Sequence, residues 1–127
     1  MWDKSVDFLD WLQQERTRME QERQGRVGLS KEEQERELER LKADGVTGFD
    51  PINHGNAWSV YFPDPEGNRI ELYCVTPWHV QQPFAEKFDL DAPLEEIRAR
   101  TLALIQADPS HCPRPEWIST MRTKLGA

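Results

Sequence analysis

Glu71 and Tyr61 offer this chain its clearest chemistry, a carboxylate able to hold a cation beside a phenol able to hold a polar ligand. Both fall in residues 53–73, NHGNAWSVYFPDPEGNRIELY. Alternation puts Trp58, Val60 and Phe62 on one side of a first strand and Ser59 and Tyr61 on the other. On a second strand Ile70, Leu72 and Cys74 oppose Arg69, Glu71 and Tyr73. PDPEGN between them holds residues that break strands and permit positive φ, so a hairpin with a six-residue loop is expected. Its register lets Tyr61 and Glu71 share a face. That face offers an acid and a phenol to a cavity, a signature of a metal site, while the apolar face packs on helices. Alternation alone permits a plainer reading, with Glu71 a solvent-facing strand residue paired to Arg69 or a lysine and Tyr61 a core aromatic with its hydroxyl at the rim.

The elements around the hairpin read as helices. Trp2, Val6, Leu9 and Leu12 recur at helical spacing, which predicts a helix over residues 4 to 24 with an almost wholly polar second half, ERTRMEQERQ. Ser30 and Glu33 have the spacing of a capping box, Leu38 and Leu41 form a buried stripe, and Gly45 suits a left-handed cap. A helix over 31 to 44 follows from these signals. Residues 46 to 52 read as a short strand interrupted by Pro51. Residues 76 to 93 carry three prolines and no sustained period, and so read as an arm or loop. Leu94, Ile97, Leu104 and Ile105 predict a third helix over 94 to 107, and Pro115 ahead of Trp117, Met121 and Leu125 a fourth. The expected fold class is α+β, with a small antiparallel sheet of about three strands and flanking helices.

Composition narrows the partners. A formal charge of −7 opposes nucleic acid and anionic membrane surfaces, which repel an acidic protein at range. Cys74 and Cys112 make neither a disulfide framework nor a CxxC pair and read as free thiols. With no apolar run of spanning length and no leader-like h-region, a cytoplasmic location is expected.

HG followed by S-x-YF-x-DPEGNRIEL resembles the closing hairpin of the βαβββ module of the vicinal oxygen chelate superfamily, and TPWHVQQPF resembles the tail of one extradiol-dioxygenase-like group. The superfamily includes the glyoxalases, the bleomycin-resistance proteins and the extradiol dioxygenases, and the resemblance covers about the middle half of the chain. It divides the chain into an N-terminal helix outside the family pattern (1–28), a partial module with extended tail (29–92) and C-terminal helices (93–127). It implies ring cleavage of a small catecholic substrate by an oxidoreductase using Fe(II) and dioxygen, with Glu71 as the carboxylate metal ligand. By the same carry-over His54 assists proton transfer and Tyr61 hydrogen-bonds the catecholate. In catalytic members the strand before the helix supplies a metal-binding histidine, but the residues before Ser30 show no H-x-x-F strand. The module is therefore expected to lack its first strand, to hold an incomplete site, and to self-associate through the sheet edge left open and the Trp2 to Leu12 stripe. Without its histidines, the alternative is a non-catalytic small-molecule-binding module of the glyoxalase and bleomycin-resistance kind. His79 and His111 match no metal position.

Overall fold

A computed structural model describes residues 25–126. The chain runs β1 (Arg26–Gly28), α1 (Lys31–Ala43), β2 (Asp50–Asn53), β3 (Ala57–Pro63), β4 (Arg69–Val75), β5 (Trp78–His79), β6 (Glu86–Lys87), α2 (Leu94–Ile105), β7 (Cys112–Pro113) and α3 (Arg114–Lys124). This is an α+β fold. Its main sheet has the order β1-β4-β3-β2-β6, and β5 pairs with β7 in a small second sheet. All pairings are antiparallel except that of β1 with β4.

The hairpin forms as alternation predicts. β3 and β4 pair over seven residues, with Tyr61 opposite Glu71 and Val60 opposite Leu72. The loop is one residue shorter than expected because Pro63 still pairs with Arg69. Asp64 closes it, its Oδ1 accepting from the Glu66 and Asn68 amides at 2.9 and 2.8 Å.

α1 starts where its cap dictates. Ser30 Oγ accepts from Glu33 N at 3.1 Å and Glu33 Oε1 accepts from Ser30 N at 3.0 Å, so two of the donors left over at a helix start are satisfied reciprocally. Gly45, with φ +86°, ends it. The helix lays Leu38 on Val60, Phe62 and Leu72, with Leu41, Phe49 and Ile70 packed around them. Gln34 pins the two layers. Fully buried, its Nε2 donates to the carbonyls of Trp58 and Leu72, each at 3.0 Å.

α2 is held by a second cluster, Trp58, Cys74 and Ile97. Thr101 anchors it. Its hydroxyl receives Trp58 Nε1 at 2.9 Å and Asn53 Nδ2 at 2.8 Å while donating to Ile97 O at 2.7 Å.

Several expectations need correction. The main sheet has five strands rather than three, because β1 and β6 flank the β2–β3–β4 meander. The first strand is present: Arg26–Gly28 lies parallel to β4, so a division after residue 28 leaves this strand on the N-terminal side, and the edge expected to be open is covered. Bonds from Leu29 N to Tyr73 O (2.8 Å) and from Glu71 N to Gly25 O (2.7 Å) extend this short pairing at both ends. Three residues are too few for period-2 alternation to show, so β1 leaves no periodic signal in the sequence. The arm over residues 76 to 93 contains β5 and β6. The strand expected over 46 to 52 begins only at Asp50, and the third helix stops at Ile105. The helix expected over 4 to 24 and its Trp2 to Leu12 stripe lie outside the described residues. No helix among the described residues is long and apolar enough to cross a membrane.

Candidate functional site

Register assembles the site. Arg26 lies opposite Glu71, Glu71 opposite Tyr61 and Tyr61 opposite Asp50, so one row crosses β1, β4, β3 and β2 on the face away from α1. The opposite charges of Arg26 and Glu71 directly across neighbouring strands favour their pairing. Ser59 and Tyr73 stand in the next row, and His54 follows directly on β2.

Glu71 is the centre, its side chain only 12% exposed. Oε1 accepts from Arg26 Nε at 2.9 Å. Oε2 accepts from Ser59 Oγ at 2.7 Å and from Tyr61 OH at 3.1 Å. Burial alone would raise the carboxyl's pKa, but the Ser59 hydroxyl, the Arg26 guanidinium and the Tyr61 phenol together hold it below the usual carboxylate range. Burial and the Glu71 charge raise the Tyr61 pKa, which keeps it a neutral phenol.

His54 joins through Tyr61. Its Nδ1 lies 2.9 Å from Phe84 O and its Nε2 2.9 Å from Tyr61 OH. A carbonyl can only accept, so Nδ1 carries a hydrogen, and in the neutral ring Nε2 is then an acceptor. The single phenol proton thus faces two acceptors, His54 Nε2 and Glu71 Oε2. Gly55 makes the geometry possible. With φ +74°, it turns the chain after His54 at a point where a Cβ would lie 2.5 Å from Val80 Cγ1.

A hollow of about 330 Å³ opens over this network, lined by Ile52, His54, Tyr61, Arg69 and Ala85. A neighbouring hollow of about 300 Å³ shares Tyr61 and Arg69 and adds Asp50, Phe62 and Pro63. Arg69 straddles the two, its Cζ 4.0 Å from the Tyr61 ring centre and its Nη2 3.8 Å from Asp50 Oδ2. A separate cavity of about 330 Å³ between β6 and α2, with Asn53, Phe88, Ile97 and Leu104 in its wall, contains neither Glu71, Tyr61 nor His54.

The three residues singled out in the sequence therefore meet in one network, and its other members, Arg26, Ser59 and Arg69, were not singled out as site residues. Alternation had already placed Ser59 and Arg69 on the correct face, whereas Arg26 required β1. Glu71 does pair with a basic residue, but across the sheet with Arg26 instead of with Arg69. His79 stacks on Trp117 at 4.4 Å, and His111 Nδ1 lies 2.6 Å from Asp108 O. Both cysteines are free thiols.

No protein-family model matches the chain, and no curated protein or solved structure does either. The iron(II) implied by the resemblance needs two imidazoles beside a carboxylate. Among the described residues no three His, Cys, Asp or Glu side chains group to hold a metal ion. Glu71 meets a guanidinium where a metal would stand, and both His54 nitrogens are engaged. The donor set present does not fit that ion, so no chemical step is derived through it.

Proposed function

We propose that this chain is a metal-independent small-molecule-binding module of the vicinal oxygen chelate type, taking a small aromatic ligand in the hollow over Tyr61 and His54. One observation carries the reading: both oxygens of Glu71, the residue in the metal-ligand position by resemblance, are committed to Arg26, Ser59 and Tyr61. A tethered cation supplies the charge that a metal would otherwise supply, and a guanidinium cannot be exchanged for substrate oxygens. The succession β1-α1-β2-β3-β4 supports the family half of the reading. The hollow falls at the small end of ligand-site volumes, suited to one substituted ring.

In this site Tyr61 and His54 position the ligand. The phenol, poised between two acceptors, can turn toward a ligand oxygen, and His54 Nε2 is then free to take a hydrogen bond. Ring cleavage with iron and dioxygen remains an activity of the family and requires histidines that the described residues do not bring to Glu71. The same reading takes the protein as self-associating, with no nucleic-acid or membrane partner and a cytoplasmic location. Since β1 covers the expected open edge, the Trp2 to Leu12 stripe is what remains to drive association, and sedimentation at tens of micromolar tests it.

Anaerobic titration separates the two readings of the site. Protein freed of metal is mixed with Fe(II) and, separately, with catechol in the presence of a chelator. Saturable catechol binding that weakens in Tyr61→Phe, without stoichiometric iron retention, is the expected result. Tight one-to-one iron retention lost in Glu71→Ala, with a yellow ring-opened product from catechol, would overturn it.

A further inference from the structure

We infer that the ligand of this hollow is an anion, an aromatic carboxylate, bound by Arg69; this rests on the binding-module reading above. The hollow's wall is chemically one-sided. Arg69 brings a full positive charge, Tyr61 and His54 bring hydrogen-bonding edges, Ile52 and Ala85 bring apolar surface, and among the described residues no acid lines it. Among the described residues the acid paired with Arg69 is Asp50, which stands in the neighbouring hollow.

Arg69 is poised to exchange partners. Its separation from Asp50, 3.8 Å, is too long for a good hydrogen bond, and the two side chains are 65% and 43% exposed, where water weakens an ion pair. Its guanidinium instead lies over the Tyr61 ring, with Cζ 4.0 Å from the ring centre, a contact that does not use its N–H donors. A planar carboxylate matches that fork with two parallel hydrogen bonds. The attached ring then lies over Ile52 and Ala85, beside the His54 edge. The charge of Glu71 is offset by its ion pair with Arg26, and Glu71 is not in the lining of this hollow.

Benzoate, its neutral isostere benzamide, and catechol are titrated into the full-length protein with a chelator present, and binding is followed by NMR. Benzoate is expected to bind at least about tenfold more tightly than benzamide, the effect of one good charge-assisted interaction. Arg69→Gln is expected to remove that advantage while leaving benzamide within about twofold, and Arg69→Lys to restore only part of it. Asp50→Asn, which removes the competing acid, is expected to strengthen benzoate binding. Equal affinities for benzoate and benzamide, or an Arg69→Gln protein that binds benzoate normally, would overturn the anion assignment. Catechol binding sensitive to Tyr61→Phe would then still support the hollow itself. Loss of binding by all three probes up to about 10 mM, where a millimolar Kd is already saturated, would overturn both.

Discussion

The two faces of the β3–β4 hairpin are built from the same fourteen paired positions, yet they are held by different physics. Toward the helices, Trp58, Val60, Phe62, Leu72 and Cys74 are buried, and contact and volume determine their packing. On the other face, Ser59, Tyr61 and Glu71 are joined with Arg26 and His54 by directed hydrogen bonds. The apolar face answers to how much volume is lost. The polar face answers to which partner is left behind, since an orphaned buried group costs more than a matched pair contributes. Substitutions on the two faces should therefore obey different rules.

The largest effect belongs to the apolar face. Trp58 is 3% exposed and joins β3 to α2 through Thr101. Trp58→Ala is expected to cost about 3–5 kcal/mol through the cavity it leaves. Thermal unfolding should show the midpoint falling by more than about 10 °C for a domain of this size. A drop under a few degrees would mean that α2 contributes little to the core. Gln34 tests the boundary between the two regimes, a polar side chain inside the apolar layer. Gln34→Leu keeps the volume but strips the Trp58 and Leu72 carbonyls of their donor, and should cost about 1–3 kcal/mol. A neutral outcome would show that packing alone sets the position of α1.

The next effect is on the polar face. Arg26→Ala leaves Glu71 charged, largely buried and without its cation, while Glu71→Gln leaves Arg26 about half in water. Arg26→Ala should therefore be the worse single change, by about 1–2 kcal/mol after allowing for the exposure of Arg26. The double variant should be less damaged than the sum of the two, as a double-mutant cycle would read. Acid provides a second readout. The folded state depresses Glu71 below its ordinary value of 4.5, so its contribution is fully present above that pH. It is lost as pH falls through the folded-state pKa. Wild type should lose stability across that window relative to Glu71→Gln, whose midpoint should move less there. Parallel curves would mean the network adds nothing to stability.

Legibility divides along the same line. Period-2 alternation assigned residues 58 to 62 and 69 to 74 to their faces, and the Ser30 and Glu33 spacing located the start of α1, because both signals are local in sequence. β1 was hidden because it is three residues long and pairs with β4, 45 positions away from Arg26 at Glu71. The cation at the centre of the site was therefore illegible, although the acid, the phenol and the imidazole around it were not. Ser59 lay in view but gave no sign of its role, since a serine on a strand becomes a partner only when a carboxylate stands diagonally across from it.

The smallest expected effect lies outside the hairpin and tests whether directed contacts govern the C-terminal region as they govern the polar face. α3 has no buried residue, and Trp117 joins it to β5 by stacking on His79, with the rings 11° from parallel. Burial first, and the nearby Arg114 charge second, lower the His79 pKa below its ordinary 6.5. The unfolded chain thus binds a proton at a higher pH than the folded one, and stability must fall as pH drops through 6.5, levelling off below the folded-state pKa. Solvent screening limits the loss to about a few tenths of a kcal/mol. Trp117 emission should change over the same window, at a midpoint below 6.5, and His79→Phe should keep the stack and abolish the change. Emission that titrates unchanged in His79→Phe would assign the transition to another group and leave the α3 docking independent of charge.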